Sequence, residues 1–343
     1  MELGLDSFVA VAEDPFTGEV PTPEERLAQL IEEVETAEAA GLEVFGIGEH
    51  HRKEFLDSAP VVLLAAAAAR TKKIRLTSAV TVLSADDPVR VFQAFATLDL
   101  LSHGRAEIVA GRGSFVEAYP LFGFSLADYD SLFAEKLELL LKIRDEPVIH
   151  WKGRHRAALD GLNVSPRPLQ NPLPIWVGVG GTPESFLRAG VLGLPLMVAI
   201  IGGEPRRFRP LVDLYREGAQ RAGHDLSRLK IGVHALGYVG SDDTSAADDF
   251  FPGYARMFTR IGRERGWPAT TRAQYDRLLE PDGALMVGSP ETVASKIRRM
   301  SDALGGVDRV TVQMSVAALS HQRMLTAIRS LGQEVAPLLK PAS

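Results

Sequence analysis

The sequence predicts an α/β protein, a closed barrel of eight parallel strands each followed by helical sequence, with insertions in the loops at the carboxyl end. Three observations lead there. The chain has 343 residues, 45% hydrophobic and 24% charged, enough for one large core with ordinary soluble patterning. Short β-branched apolar runs alternate with helical periodicity along its whole length, and eight such runs suit barrel closure better than an open doubly wound sheet. No Pro/Gly/Ser-rich linker divides it, so residues 1–343 are read as a single domain.

The elements follow in order. Leu3–Val11 is an apolar run that suits a buried strand. Thr22-Pro23-Glu24-Glu25 then offers an N-cap, a proline at the first helical position and a glutamate to close a capping box. Leu27, Leu30, Ile31 and Val34 recur at helical spacing until Gly41. Val44–Gly48 is the second strand, Ala59–Arg70 an alanine-rich helix and Ile74–Leu83 a β-branched third strand. A helix over Pro88–Leu101, a strand at Ala106–Ala110 and a helix over Leu126–Arg144 come next. Ile175–Val179, Leu196–Ile200, Lys230–Val239 and Val307–Met314 complete the strands. Helices open at Thr182, Pro210, Thr244 (to Leu279), Ser289 and His321. The irregular regions 147–174 and 242–288 are read as insertions on the barrel.

Composition narrows the function. A net charge of −6 argues against nucleic acid as an obligate partner. The basic clusters Arg206-Arg207-Phe208-Arg209 and Lys296-Ile297-Arg298-Arg299 read as solvated helix faces. With no cysteine there is no thiolate chemistry or sulfur-ligated metal. No apolar run reaches the ~20 residues of a membrane span, and the amino terminus has no signal-peptide pattern, so a cytoplasmic location is expected.

On a parallel barrel, chemistry collects at the carboxyl ends of the strands, and four segments lie there. Gly48-Glu49-His50-His51 lacks the spacing of a helical zinc site, which leaves a single imidazole as acid, base or hydrogen-bond donor, or one histidine packed and the other solvated. Thr77-Ser78-Ala79-Val80-Thr81 offers small side chains that admit a flat ligand or simply fill a tapering interior. Gly111-Arg112-Gly113 permits close backbone approach beside a guanidinium that can fork onto phosphate, although a plain surface turn has the same residues. In Val179-Gly180-Gly181-Thr182-Pro183-Glu184-Ser185, a strand runs through a glycine pair into a helix N-terminus. Its free amides suit a phosphate, whereas Glu184 can satisfy the dipole of a plain capped helix without any ligand.

These segments, with Pro88-Val89-Arg90, Leu101-Ser102-His103-Gly104-Arg105, Pro166-Arg167-Pro168-Leu169-Gln170, Pro174-Ile175-Trp176-Val177 and Gly288-Ser289-Pro290-Glu291-Thr292, form an ordered set over nearly the whole chain. The set resembles the bacterial luciferase-like flavin monooxygenase family. The resemblance implies a (β/α)8 barrel binding FMN at its carboxyl end, with His50 at the position of the catalytic histidine that assists the peroxyflavin. It implies a non-proline cis peptide between Ala79 and Val80 beneath the flavin ring, flavin contacts at Gly111 and Arg112, and a phosphate end at Gly180, Gly181, Thr182 and Ser185. It further implies FMNH2 from a separate NAD(P)H:flavin reductase, a small-molecule substrate and a homodimer; a mouth that must exclude water would make lids of the two insertions. The chain departs from luciferase itself, which has a cysteine at the position of Gly111 and acidic and hydroxyl residues at those of Gly180 and Gly181. It also has leucine at Leu132, near where relatives often carry arginine. The similarity is to uncharacterised oxidoreductase branches. The alternatives are a deazaflavin-dependent hydride-transfer enzyme on the same barrel, or a non-catalytic flavin-binding partner subunit.

Overall fold

The computed structural model describes residues 1–340, so the last three residues of the single-domain span lie outside the described residues. The strands are β1 (Glu2–Ser7), β2 (Val44–Ile47), β3 (Arg75–Ser78), β4 (Thr81–Val82), β5 (Ala106–Gly111), β6 (Val148–Trp151), β7 (Leu159–Asn163), β8 (Ile175–Val179), β9 (Leu196–Ile200), β10 (Ile231–Val239), β11 (Met286–Gly288) and β12 (Arg309–Gln313). The helices are α1 (Pro23–Ala39), α2 (Pro60–Arg70), α3 (Pro88–Leu101), α4 (Ala118–Leu121), α5 (Tyr129–Asp145), α6 (Pro183–Val191), α7 (Arg209–Arg221), α8 (Asp243–Glu264), α9 (Arg272–Leu279), α10 (Pro290–Leu304), α11 (His321–Ser330) and α12 (Ala336–Leu339).

Parallel pairing runs β1–β2–β3–β5–β8–β9–β10–β12 and returns from β12 to β1, which closes an eight-stranded barrel. The expected fold class is therefore observed. β4 adds to β5, and β11 adds to the carboxyl end of β10. The local signals at the first helix act as read: Thr22 and Glu25 form a reciprocal capping box, with Pro23 in the first turn. Asp87 caps α3 by accepting from the Val89 and Arg90 amides.

The barrel interior is layered. At the amino end the Arg309 guanidinium donates to Glu107 (2.6 Å) and Glu2 (2.7 Å) and lies over the Trp176 ring at 4.4 Å. Arg309 and Trp176 are almost wholly buried, so this layer seals the floor. Above it, Asp6, His234 and Thr311 from three neighbouring strands form a buried polar cluster. The upper layer opens to the mouth.

Five details differ from the sequence reading. The first strand ends at Ser7, and the third breaks after Ser78 before resuming as β4. The helical stretch 244–279 is two helices, because Gly266-Trp267-Pro268 interrupts it and Thr271 starts a new capping box with Gln274. Lys296, expected on a solvated face, is buried and donates to the Leu279 and Glu280 carbonyls at the end of α9. Region 147–174 leaves from the end of α5 and returns to the start of β8, so it is rooted at the amino end of the barrel rather than the carboxyl end. Its antiparallel β6–β7 hairpin climbs outside the helices, and the tip docks near the mouth through Arg154 and His155 amides on Glu135 and Arg156 on Asp87.

Region 242–288 does start at the carboxyl end. α8 follows β10, crosses beside the short turn at Ser315–Ala317, and reaches Glu13, Arg52 and Ser114 with its far half. None of the helices described is long and apolar enough to cross a membrane.

Candidate functional site

The mouth is built from loops that leave β1, β2, β3, β5 and β8. His50 sits just beyond β2, buried, with Nδ1 2.8 Å from Asp57 Oδ2. Asp57 is fully buried and its Oδ1 has no hydrogen-bond partner, so desolvation raises its pKa although the His50 imidazole opposes the rise. The contact fixes the ring and favours the tautomer with its proton on Nδ1, which leaves Nε2 as the nitrogen turned to other partners. Three phenyl rings enclose the imidazole: Phe8 and Phe55 at 4.5 Å and Phe115 at 5.4 Å between centroids. An acid/base group in an apolar cage, oriented by a buried carboxylate, is an arrangement suited to moving a proton away from bulk water.

His51 points elsewhere, to Glu49 Oε1 at 3.1 Å and edge-on to Phe122. Glu49 accepts the Val82 amide with its other oxygen, tying the β2 loop to β4. The two histidines thus separate in role, and no cluster among the described residues could hold a metal ion.

Ala79–Val80 is a cis peptide, as the resemblance implied. Ser78 Oγ accepts the Val109 amide and donates to the Val109 carbonyl, while Thr81 Oγ1 donates to Ser78 Oγ, which pins both sides of that bond. Val80 turns into the barrel against Val109, Trp176 and Met197. Gly111 is required here, since a β-carbon on it would lie 2.5 Å from Val80 Cγ2.

Arg112 joins the remaining residues. Its Nη2 donates to Ser185 Oγ (3.1 Å) and Thr182 Oγ1 (3.3 Å), its Nη1 to Asp130 (2.5 Å), and its guanidinium lies over Tyr129 at 4.9 Å. Thr182 is the N-cap of α6 but makes no side-chain cap; Pro183 has no N–H and the Ser185 amide donates to the Thr182 carbonyl, so the Glu184 amide is the first-turn donor left for another acceptor. Gly180 and Gly181 face open space, with nothing within 4 Å of where a β-carbon would be. A cation, two hydroxyls, the Glu184 amide and an open glycine shelf together make a site that fits a phosphate.

The structure therefore brings together Gly111, Arg112, Gly180, Gly181, Thr182 and Ser185 on one side of the mouth, and His50, Ala79 and Val80 within it. Residues 2–306 match the sequence model of the family described as luciferase-like monooxygenase. The chain belongs to that family. The N-acetyl-S-alkylcysteine monooxygenase of Bacillus subtilis is 31% identical over 310 residues, covering 85% of this chain and 88% of that one. Among solved structures, the oxygenating constituent of 3,6-diketocamphane monooxygenase from the CAM plasmid of Pseudomonas putida, in complex with FMN, superposes with a TM-score of 0.79. It is 21% identical and covers 99% of both chains. An F420-dependent secondary alcohol dehydrogenase superposes at 0.77, with 18% identity and 99% of both chains covered. Both structural likenesses bear on the fold. Membership in this luciferase-like family makes the chain an oxidoreductase of the monooxygenase kind.

Sequence reasoning missed Asp57, the Phe8/Phe55/Phe115 cage and Arg52. Asp57 lies seven residues beyond His50 in the same loop, but the loop must fold back for the two to meet. Arg52 donates to Glu54, Glu117 and Glu264, which joins the β2 loop, the β5 loop and the far end of α8 above the cage. Its ring contact with Phe115 at 4.6 Å ties this ionic network to the wall around His50. A groove of about 490 Å³ between the loop after β1 and the start of α11 contains none of the candidate site residues.

Proposed function

We propose that this chain is the oxygenating component of a two-component flavin system, taking reduced FMN and O2 to a small, largely apolar organic substrate. The observation that carries the reading is the His50–Asp57 pair inside its aromatic cage, across the same mouth from the Arg112–Thr182–Ser185 anion site. The residues fit FMN. Arg112, Thr182, Ser185 and the amides beside Gly180 and Gly181 would hold its phosphate, and Ala79, Val80 and Gly111 would line its ring. Bound reduced FMN supplies the electrons that activate O2.

The chain's own residues do the rest. Asp57 keeps the Nδ1 proton of His50 in place, so Nε2 can accept a proton and return it. Phe8, Phe55 and Phe115 keep water from that nitrogen. The Arg52 network fastens α8 across the rim, giving the region 242–288 the role of a lid. A separate NAD(P)H:flavin reductase would supply the reduced flavin, and we propose a homodimer, which sedimentation would check.

Anaerobic titration with FMN and FMNH2, followed by admission of oxygen, tests the proposal. Tight FMNH2 binding followed by O2 consumption supports it. His50→Ala should then slow turnover by roughly 10²–10⁴-fold and release more of the consumed O2 as hydrogen peroxide. Affinity for neither FMN state, with binding of a deazaflavin and no O2 uptake, would instead favour hydride transfer on the same barrel.

A further inference from the structure

A second imidazole packs against the same Phe8 ring that walls His50. His234, in the middle of β10, places Nδ1 2.6 Å from Asp6 Oδ2 on β1, and Thr311 Oγ1 on β12 donates to the same oxygen. Gly46 on β2 completes the seat: a β-carbon there would lie 2.1 Å from Asp6 Oδ1, so no larger residue leaves the carboxylate in place. The His234 ring stacks on Phe8 at 5.7 Å and 11°, and Phe8 also meets the His50 ring at 4.5 Å. One phenyl ring therefore stands between two imidazoles, each held at Nδ1 by a buried carboxylate.

The His234 side chain keeps about a tenth of its surface exposed. Arg309, Glu107 and Trp176 close the floor below it, which leaves the mouth as the side from which a ligand reaches the ring. In the tautomer that donates Nδ1–H to Asp6, Nε2 carries the ring's lone pair and is the nitrogen left to accept. The mechanism proposed above leaves this group without a task, yet a buried carboxylate and a hydroxyl are both spent on orienting it.

We infer that His234 is a second substrate-facing residue, which accepts a hydrogen bond at Nε2 from a hydroxyl on an otherwise apolar substrate. Asp6 and Thr311 act as its positioning residues. The inference deepens the proposed function and rests on that reading only for the chamber being the substrate site. The substrate class it selects is an alcohol, phenol or enol whose hydrocarbon part packs against Phe8 and Val80. A phenolic or enolic proton can pass to Nε2, leaving the oxyanion on the substrate and an imidazolium paired with Asp6.

The test needs no flavin. 2-Naphthol and 2-methylnaphthalene differ in hydroxyl against methyl and have nearly the same shape; both are titrated into the full chain by fluorescence. The wild type should prefer the naphthol by roughly three- to tenfold, the worth of one hydrogen bond. His234→Phe should abolish the preference while 2-methylnaphthalene still binds, and His234→Gln, whose amide oxygen accepts, should restore part of it. His234→Leu covers the case in which the phenylalanine variant does not fold. Equal affinity of the wild type for both probes, no naphthol binding, or loss of the preference in His50→Gln but not in the His234 variants would overturn the assignment. FMN titrations on the same proteins keep the outcomes separate, because loss of the naphthol preference leaves flavin binding untouched and absence of flavin binding leaves the preference measurable.

Discussion

At the residue scale the site depends on side chains whose roles are set by a partner rather than by their own identity. His50 was legible because a polar pair follows a strand at the barrel's carboxyl end. Which of the two meets a fully buried carboxylate was not legible in the residues themselves, because Asp57 becomes a neighbour of His50 only once the loop folds back. Asp57→Asn separates orientation from packing. The amide fits the same volume but can donate to Nδ1, which favours the wrong tautomer. Turnover should fall roughly 10–100-fold with thermal stability little changed, measured as O2 uptake beside a melting curve. Unchanged uptake would show that His50 does not rely on this carboxylate. His234 was invisible for a stronger reason: its partner Asp6 is 228 positions away and meets it only because the barrel closes.

At the element scale, signals carried within one turn of chain were the readable ones. The capping box at Thr22 and the proline-led starts of α3, α6 and α10 needed nothing from the rest of the protein. Thr22→Ala should cost ~1 kcal/mol in urea unfolding, because one first-turn amide of α1 loses its acceptor. Elements that depend on a distant surface were missed: β6–β7 is a two-stranded ribbon held by α5 and α3, and β11 exists only as an addition to β10. The far end of α8 is likewise held by charge rather than by a continuous apolar face. Arg52 is kept protonated by its carboxylate partners, chiefly Glu264, and Arg260 adds a contact to Glu54. Arg52→Ala should therefore raise amide exchange in residues 256–266 and 112–117 while the barrel strands stay protected. Raised salt should reproduce part of that effect in the wild type.

For the whole molecule, closure was legible from eight strand–helix alternations and an undivided composition, while the ionic groups inside it were not. Those groups set how stability responds to pH. Burial pushes Lys136 and Lys296 down to about 8 from the ordinary 10.5, and it pushes Tyr119, Tyr238 and Tyr254 up to about 12 from 10.0. Between about pH 8 and 10.5 the folded lysines have lost protons that the unfolded chain still binds, so stability from this source rises with pH. Above pH 10 the folded tyrosines keep protons that the unfolded chain gives up, and stability falls. The two slopes together put a maximum near pH 9–10, within the range set by those pKa values. Lys296→Met isolates the first slope, because the methionine has the same length and no proton to lose. The urea stability of the wild type relative to this variant should climb between pH 8 and 10.5, by up to about 3 kcal/mol for a fully desolvated ammonium. A difference that stays flat across that window would mean that Lys296 keeps its charge in the folded state. The Leu279 and Glu280 carbonyls at the end of α9 would then compensate its burial in full.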